Sequence, residues 1–411
     1  MTAYSYSACT NGSHRSTILH SSKKTEKVKK QNCRNTEKEK VIMSLSYLQQ
    51  ESTPILPESI WALSWTSTNK LISGSADGHL RIWDPTELAK PIHDLSSHPL
   101  AISSLSTSSD GKFALATSLD GSVVLADVEE GIEVGRVETG REKVAEGQSE
   151  LPAFAAAIHP TSQCWAWSGR SSKLAIRSIY QDGPSVSASA SAGEDSEGSS
   201  RGLLGGEGKV IDTGRGKFGM DVQFSPDGRS LALATEQGQV FVLDTETQDI
   251  VATYTSHNKA VRTVTWSPDS QWLYSGSDDH LIVLYDVRAG SRSSAGGAGE
   301  GAVAMFQGHQ SWVLKVDASP DGKLLGSGGA DSLIKLWDVG QRACVSTTSS
   351  AGNAEIWGFA WQQPQLSSSP AATNGTAEVG TEQNYSTSAG KQFAVAGDDK
   401  AITLFRAAGS I

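Results

Sequence analysis

Cysteine is scarce in this chain of 411 residues, with Cys9, Cys33, Cys164 and Cys344 far apart and no Cys-x-x-Cys pair. That spacing excludes a disulfide framework and a zinc ribbon, and favours a reducing, intracellular compartment. Long apolar runs are missing too. No stretch approaches a membrane span and no signal-peptide core precedes a cleavage site, so a soluble chain without membrane contact is expected. Residues 1–50 carry no heptads, which excludes an N-terminal coiled coil. Catalytic signatures are absent as well. There is no Gly-x-Ser-x-Gly, no His-Glu-x-x-His, no EF-hand and no cluster of metal ligands. Gly296-Gly297-Ala298-Gly299 lacks the strand-to-helix context and the Lys-Ser/Thr of a phosphate loop, and reads as linker. The chain is expected to be no enzyme and to need no cofactor or metal.

Positive charge is in short supply overall. The net charge is −10, and residues 1–42 hold nine Lys/Arg against three Asp/Glu, so the remainder carries −16. An acidic body opposes direct contact with nucleic acid through its phosphates. Residues 1–42 are rich in Ser, Lys and Asn without periodicity and read as a disordered basic tail. Its run Lys23-Lys24-Thr25-Glu26-Lys27-Val28-Lys29-Lys30 fits a solvated charge run better than a nuclear-import signal. Patterned sequence begins at Met43, so both Met1 and Met43 stand as candidate starts.

What the chain has in plenty is repetition. Gly308 to Asp338 reads as three short strands. Trp312–Ala318 alternates and stops at Ser319-Pro320-Asp321-Gly322, a tight turn. Leu324–Ser327 is a small-residue strand, and Leu333–Trp337 alternates again. Gly-His in front and Trp-Asp behind bracket the unit in the manner of a propeller blade. Copies follow Ile60, His98, Phe154, Phe218, His257 and Ile356, with a weak third copy and Ala126 in place of the second copy's Trp. The fold class is therefore all-β, a seven-bladed WD-repeat β-propeller over residues 43–411. Only six residues follow Phe405, too few for a last outer strand. Ser44–Gln49 has no other partner and is expected to close the ring.

Three low-complexity stretches, 183–209, 289–302 and 363–390, read as flexible insertions. The first two fall between a blade's third and fourth strands and the third between its first and second, so all three decorate one rim. The opposite rim, built from the Gly-His loops, is the candidate docking face, with Gly140–Glu150 as a modest loop on it. The first residues of the innermost strands stand there: Trp61, Phe154, Phe218, Arg262, Trp312 and Trp357. Trp and Arg are residue types enriched at binding hot spots, so these six are the candidate partner-binding residues. His257 with Asp279 and His309 with Asp331 recur at one separation, 22 residues. They are read as buried networks reaching Tyr285 and Trp337, since an active site would not be duplicated blade after blade. Asp77, Asp120 and Asp399 take the matching turn where the His is absent or shifted, and Gln237 replaces the Asp in blade four.

Several longer strings carry a more specific likeness. Thr213-Gly214-Arg215-Gly216-Lys217-Phe218, Gly308-His309-Gln310-Ser311-Trp312-Val313-Leu314, Lys335 to Val345 and Gly397-Asp398-Asp399-Lys400 resemble the WD-repeat subunit of the superkiller complex. The resemblance implies a scaffold without activity of its own, in a cytoplasmic assembly with a tetratricopeptide scaffold subunit and an RNA helicase. That assembly feeds mRNA to the exosome for 3′-to-5′ decay. It further implies partner binding through the narrower rim, and nuclear roles in relatives: the Paf transcription-elongation complex and the meiotic DNA-break machinery.

Overall fold

The computed structural model describes residues 46–140, 151–171, 173–180, 203–206, 208–214, 218–290, 301–365 and 390–408. The basic tail with its Lys23–Lys30 run, the interiors of the three insertions (183–202, 291–300, 366–389) and most of Gly140–Glu150 lie outside them. The described strands form seven antiparallel four-stranded sheets. Numbered in chain order, each blade runs outward through strands a, b, c and d. The seven inner strands are Ile60–Trp65, Ile102–Thr107, Ala153–Ile158, Gly219–Phe224, Val261–Trp266, Val313–Ala318 and Ile356–Trp361.

No single core holds the molecule together. Seven buried clusters each fill the seam between two successive blades. This follows from the sequence pattern: strands b and c are buried on both faces, so each residue packs into one neighbour or the other. Close approach sets the small residues. A Cβ on Gly326 would lie 2.1 Å from the Phe359 ring of the next blade, so the ring takes the space that any side chain there would fill.

In blades 2, 4, 5 and 6 the turn between strands a and b is built by one device. Ser319 Oγ donates to Asp321 at 2.6 Å and accepts from Leu324 N at 2.9 Å, while Gly322 takes the left-handed conformation at φ 68°. Ser225-Pro226-Asp227-Gly228 repeats it.

Ring closure is made by Tyr47–Ser52, strand d of blade 7, three residues further along the chain than the sequence pattern placed it. It pairs antiparallel with Ile402–Ala407. Ile402 and Thr53 exchange two hydrogen bonds of 2.9 Å, and the Tyr47 ring packs edge-on at 6.0 Å from Trp361.

The described end of the first insertion corrects its reading as pure loop. Leu204 is fully buried in the seam between blades 2 and 3, Leu203 packs beside it, and Gly208–Asp212 is strand d of blade 3. Two leucines among small polar residues are enough to pin that return arm. The second insertion also gives way to structure at its borders, with a helical turn at Val287–Gly290 and a strand from Ala302.

Candidate functional site

The site begins with an irregularity shared by all seven inner strands. In each, pairing with strand b slips after the first residue, so the second residue is bulged. A bulge turns that side chain out of the sheet and toward the opening. The bulged residues are Trp61, Ser103, Phe154, Met220, Arg262, Leu314 and Trp357, and together they line a well of about 100 Å³ at the mouth of the central channel. This is the rim of the d–a loops and b–c turns.

Four of the six sequence-predicted rim residues, Trp61, Phe154, Arg262 and Trp357, sit in this collar. Phe218 and Trp312 do not. They lie two residues before the bulge, where their backbone carbonyls accept from Glu236 N and Ala330 N of the b–c turns. The true collar members of blades 4 and 6 are Met220 and Leu314, and blade 2 supplies Ser103. A shift of two keeps the side chain on the same face of a strand, so alternation alone does not separate the two registers.

The displaced aromatics still flank the collar. Phe218 packs edge-on against Phe154 at 4.9 Å, and Trp61 lies 6.0 Å from Trp357. Trp312, 42 % exposed, underlies the Arg262 guanidinium at 4.7 Å. Arg262 is held from its other side by Asp278, through Nε to Oδ1 and through Nη2 to Oδ2 at 3.0 Å. Leu100 and Leu119, both exposed on blade 2, extend the apolar surface outward and were invisible in the repeat pattern. Burial raises the Glu355 carboxyl beside this collar; Asp398 adds to the rise and Arg262 opposes it.

Below the collar the channel is lopsided. Blades 4 to 6 present Asp221, Thr263, Lys315, Gln223, Thr265 and Asp317, against alanine, glycine and serine on the other arc. Asp221 Oδ1 accepts from Val222 N and Oδ2 from Val264 N, both at 2.9 Å, stitching blade 4 to blade 5. Asp317 Oδ2 accepts from Trp361 N at 2.8 Å in the same way. Burial pushes Asp317 up to about 6 despite that bond and the nearby Lys315.

The opposite mouth is far larger, a cavity of about 940 Å³ walled by Pro160, Pro226, Pro268, Pro320 and Pro364. Its hydroxyls are already engaged: Ser67 Oγ donates to Ser109 O at 2.8 Å and Ser109 Oγ to Pro160 O at 2.6 Å. The insertions branch from this side.

The histidine networks lie elsewhere, inside the blades. In blade 6, Trp337 Nε1 donates to Ser327 Oγ at 2.8 Å, Ser327 lies 2.8 Å from His309 Nε2, and His309 Nδ1 donates to Asp331 at 3.0 Å. In blade 5, His257 reaches Asp279 at 2.9 Å and Ser275 at 2.6 Å, with the Tyr285 hydroxyl 3.5 Å from Ser275. The order Asp-His-Ser mimics a catalytic triad, yet both serines are wholly buried and offer no substrate an approach. Burial raises Asp279, but His257 and two backbone N–H groups outweigh it and bring the carboxyl down to about 2. That depression stabilises the fold above about pH 4, and the contribution is lost as pH falls toward 2.

Blade 1 has no such histidine. Arg81, buried, donates to Asp77 at 2.7 Å and to Ser75 Oγ at 2.6 Å and fills the same role. Blade 2 keeps His98, also 22 residues before Asp120. There His98 Nδ1 contacts Ser122 Oγ at 2.7 Å instead, and Nε2 is buried without a partner, because the usual Ser and Trp are Ala116 and Ala126. Blade 4, with Gln237, closes its turn through Thr235 Oγ1, which donates to Gln239 O at 2.8 Å.

Among the described residues no group of three or more His, Cys, Asp or Glu is placed to hold a metal ion, and no helix is long and apolar enough to cross a membrane. Fold and repeats define the class: this is a WD-repeat β-propeller. The family model described as WD domain, G-beta repeat, matches residues 51–84, 89–127, 248–286 and 301–338. The chain is similar to echinoderm microtubule-associated protein-like 2 of Homo sapiens, 31 % identical over 132 residues, which is 32 % of this chain and 19 % of that protein. It is also similar to echinoderm microtubule-associated protein-like 3 of Homo sapiens, 35 % identical over 121 residues, 29 % of this chain and 13 % of that one. The similarity thus spans less than a fifth of either relative.

Proposed function

We propose that the chain is a non-catalytic scaffold that captures partner proteins on the collar face of its propeller. One observation carries this reading: seven bulged residues converge on one mouth, where large aromatics and a fixed arginine remain partly exposed. Residues of this kind supply most of the energy at interface centres. In its finer form, the proposal makes the chain the WD-repeat subunit of a superkiller-type assembly, supporting exosome-dependent mRNA decay in the cytoplasm. Its partners would be the tetratricopeptide scaffold subunit and the RNA helicase. That form rests on the strings around Gly308–Leu314 and Lys335–Val345. The same strings support an adaptor role in the nucleus, in the Paf complex or the meiotic recombination machinery. The microtubule association in the relatives' names belongs to proteins matched over less than a fifth of their length, so it does not select a partner.

The test is affinity purification from cells with mass spectrometry, comparing the natural chain with Trp61→Ala, Arg262→Ala and Trp312→Ala. The expected outcome is co-purification of the tetratricopeptide and helicase subunits, lost in all three variants while their melting temperatures stay within a few degrees. Capture that survives all three substitutions refutes the collar face as the docking surface.

A further inference from the structure

The wide mouth opposite the collar encloses a charge without a counterpart. Of the charged residues lining this cavity of about 940 Å³, four are aspartates, Asp110, Asp221, Asp317 and Asp321, and one is Lys315. Asp110 accepts from Ser108 Oγ, and Asp321 accepts from Ser319 Oγ and lies 3.5 Å from Lys323 Nζ. Asp221 accepts from two backbone N–H groups and has Lys315 Nζ 4.0 Å away. Asp317 differs. Its Oδ2 accepts from Trp361 N at 2.8 Å, and no cation among the described residues forms an ion pair with it. Burial holds this carboxyl up to about 6, against the pull of that hydrogen bond and of Lys315, so it stands ionised and partly exposed at neutral pH. The site is also rigid. Trp361 Nε1 donates to Asp317 O at 3.0 Å, and Trp266 Nε1 donates to Gln223 O at 3.1 Å. Asp317 and Gln223 are each the third residue past the bulge of their strand, and the Gln223 carboxamide lines the same cavity without a partner among the described residues.

Charge decides what fits. An ionised carboxylate in a half-closed cavity gains most from a group that brings the opposite charge. An entering carboxylate or phosphate meets four acids, and an apolar side chain strips water from Asp317 and returns nothing. The shape of the acceptor narrows the choice further. Oδ2 is held by Trp361 N, so the two parallel bonds of a guanidinium fork find no full match, whereas an ammonium needs only Oδ1. The cavity is far larger than one ammonium, and its outer wall is apolar, ringed by Pro160, Pro226, Pro268, Pro320 and Pro364. An extended peptide suits that combination: its backbone lies on the prolines while one long side chain reaches inward. We propose that the wide mouth is a second docking site, which takes a lysine side chain carried by an extended segment of a partner protein, its ammonium donating to Asp317 Oδ1. The ionised carboxylate lowers stability at neutral pH, a cost of the kind that binding sites carry. The proposal goes beyond the collar reading and does not depend on it, because neither Asp317 nor the prolines line the collar well.

Panning a short random peptide library on the whole protein, with Trp61→Ala and Asp317→Asn proteins in parallel, separates the two faces. Asparagine at 317 keeps the acceptor for Trp361 N, so the substitution removes charge and leaves the fold. Binders held by Trp61→Ala and lost by Asp317→Asn report on the wide mouth, and lysine is expected at one fixed position among them. In a synthetic peptide of that sequence, acetyl-lysine or methionine at this position should each weaken binding about tenfold or more by calorimetry. Arginine there should bind less tightly than lysine. On the protein side, Asp317→Asn should erase the difference between the lysine and acetyl-lysine peptides. The peptide substitutions leave the protein untouched, so they stay decisive even where Asp317→Asn unfolds. Acetyl-lysine or methionine binding as tightly as lysine overturns the site, and arginine binding as tightly or more so overturns the choice of an ammonium. Binders that need Trp61 and never Asp317, or no binders at all, also overturn the site. The first of these results leaves the collar reading standing, and binders that need Asp317 but never Trp61 support the wide mouth whatever becomes of the collar.

Discussion

At the scale of single residues, two buried groups carry measurable consequences. Asp317 is held up to about 6 by burial, so the folded state binds a proton between about pH 4 and 6 that the unfolded chain has lost. Its ionised form therefore costs stability above pH 6. Asp317→Asn keeps the acceptor for Trp361 N and should stabilise the protein at pH 7.5 by about 1 kcal/mol, with about 3 kcal/mol as a ceiling. Denaturant titrations should show the gain vanish near pH 4, and a gain that persists there would remove ionisation as the cause. His98 runs the other way. Burial, then the Arg136 charge, lower it to about 4 against the pull of Asp120 and Glu133, so the folded ring stays neutral where the unfolded one protonates. That contribution is complete above about pH 6.5 and fades toward pH 4. Ala116→Ser places a hydroxyl where blades 5 and 6 have Ser275 and Ser327, giving Nε2 its missing partner. A gain of about 1 kcal/mol is expected at pH 7, read as a rise in melting temperature.

At the scale of elements, the arm that ends the first insertion and the closing strand invite direct tests. Leu204 is wholly buried between blades 2 and 3, and Leu204→Ala should cost about 2–4 kcal/mol in urea unfolding. A cost below about 0.5 kcal/mol would make the arm a passive loop. These elements also mark how far the amino-acid order alone reaches. The blade count, the Ser-Pro-Asp-Gly turns and the closing strand were readable because each rests on local chemistry: alternation, a turn with a left-handed glycine, an unpaired edge. The collar was readable only in part. Trp61, Phe154, Arg262 and Trp357 begin strands whose start is plain, whereas Phe218 and Trp312 attracted attention by size and hid Met220 and Leu314. The bulge that decides between them is a backbone feature shared by every inner strand, with no residue type of its own: Trp, Ser, Phe, Met, Arg and Leu all occupy it. Leu203 and Leu204 went unseen because composition averages over a window and two leucines do not move the average. Arg81 escaped because it fulfils a histidine's role from a different strand.

At the scale of the whole molecule, the ring closes without a covalent joint, through strand pairing and the buried seam between blades 7 and 1. Ala408 N donates to Ser46 O at 2.8 Å, so a short linker between these residues, with the chain reopened between 291 and 300, should leave the fold intact. The permuted protein is expected to match the natural one in melting temperature within a few degrees, and a collapse in cooperativity would show that the native chain order matters to the ring. The same joint sets a timetable for synthesis. Ser52 and Thr403, whose hydroxyls meet at 3.0 Å, are 351 positions apart. At about 5–20 residues per second, the strand that carries Ser52 leaves the ribosome roughly 20–70 s ahead of its mate. During that interval it is an orphaned ribbon with a free hydrogen-bonding edge, open to capture by a chaperone or by the unfinished sheet of another nascent copy.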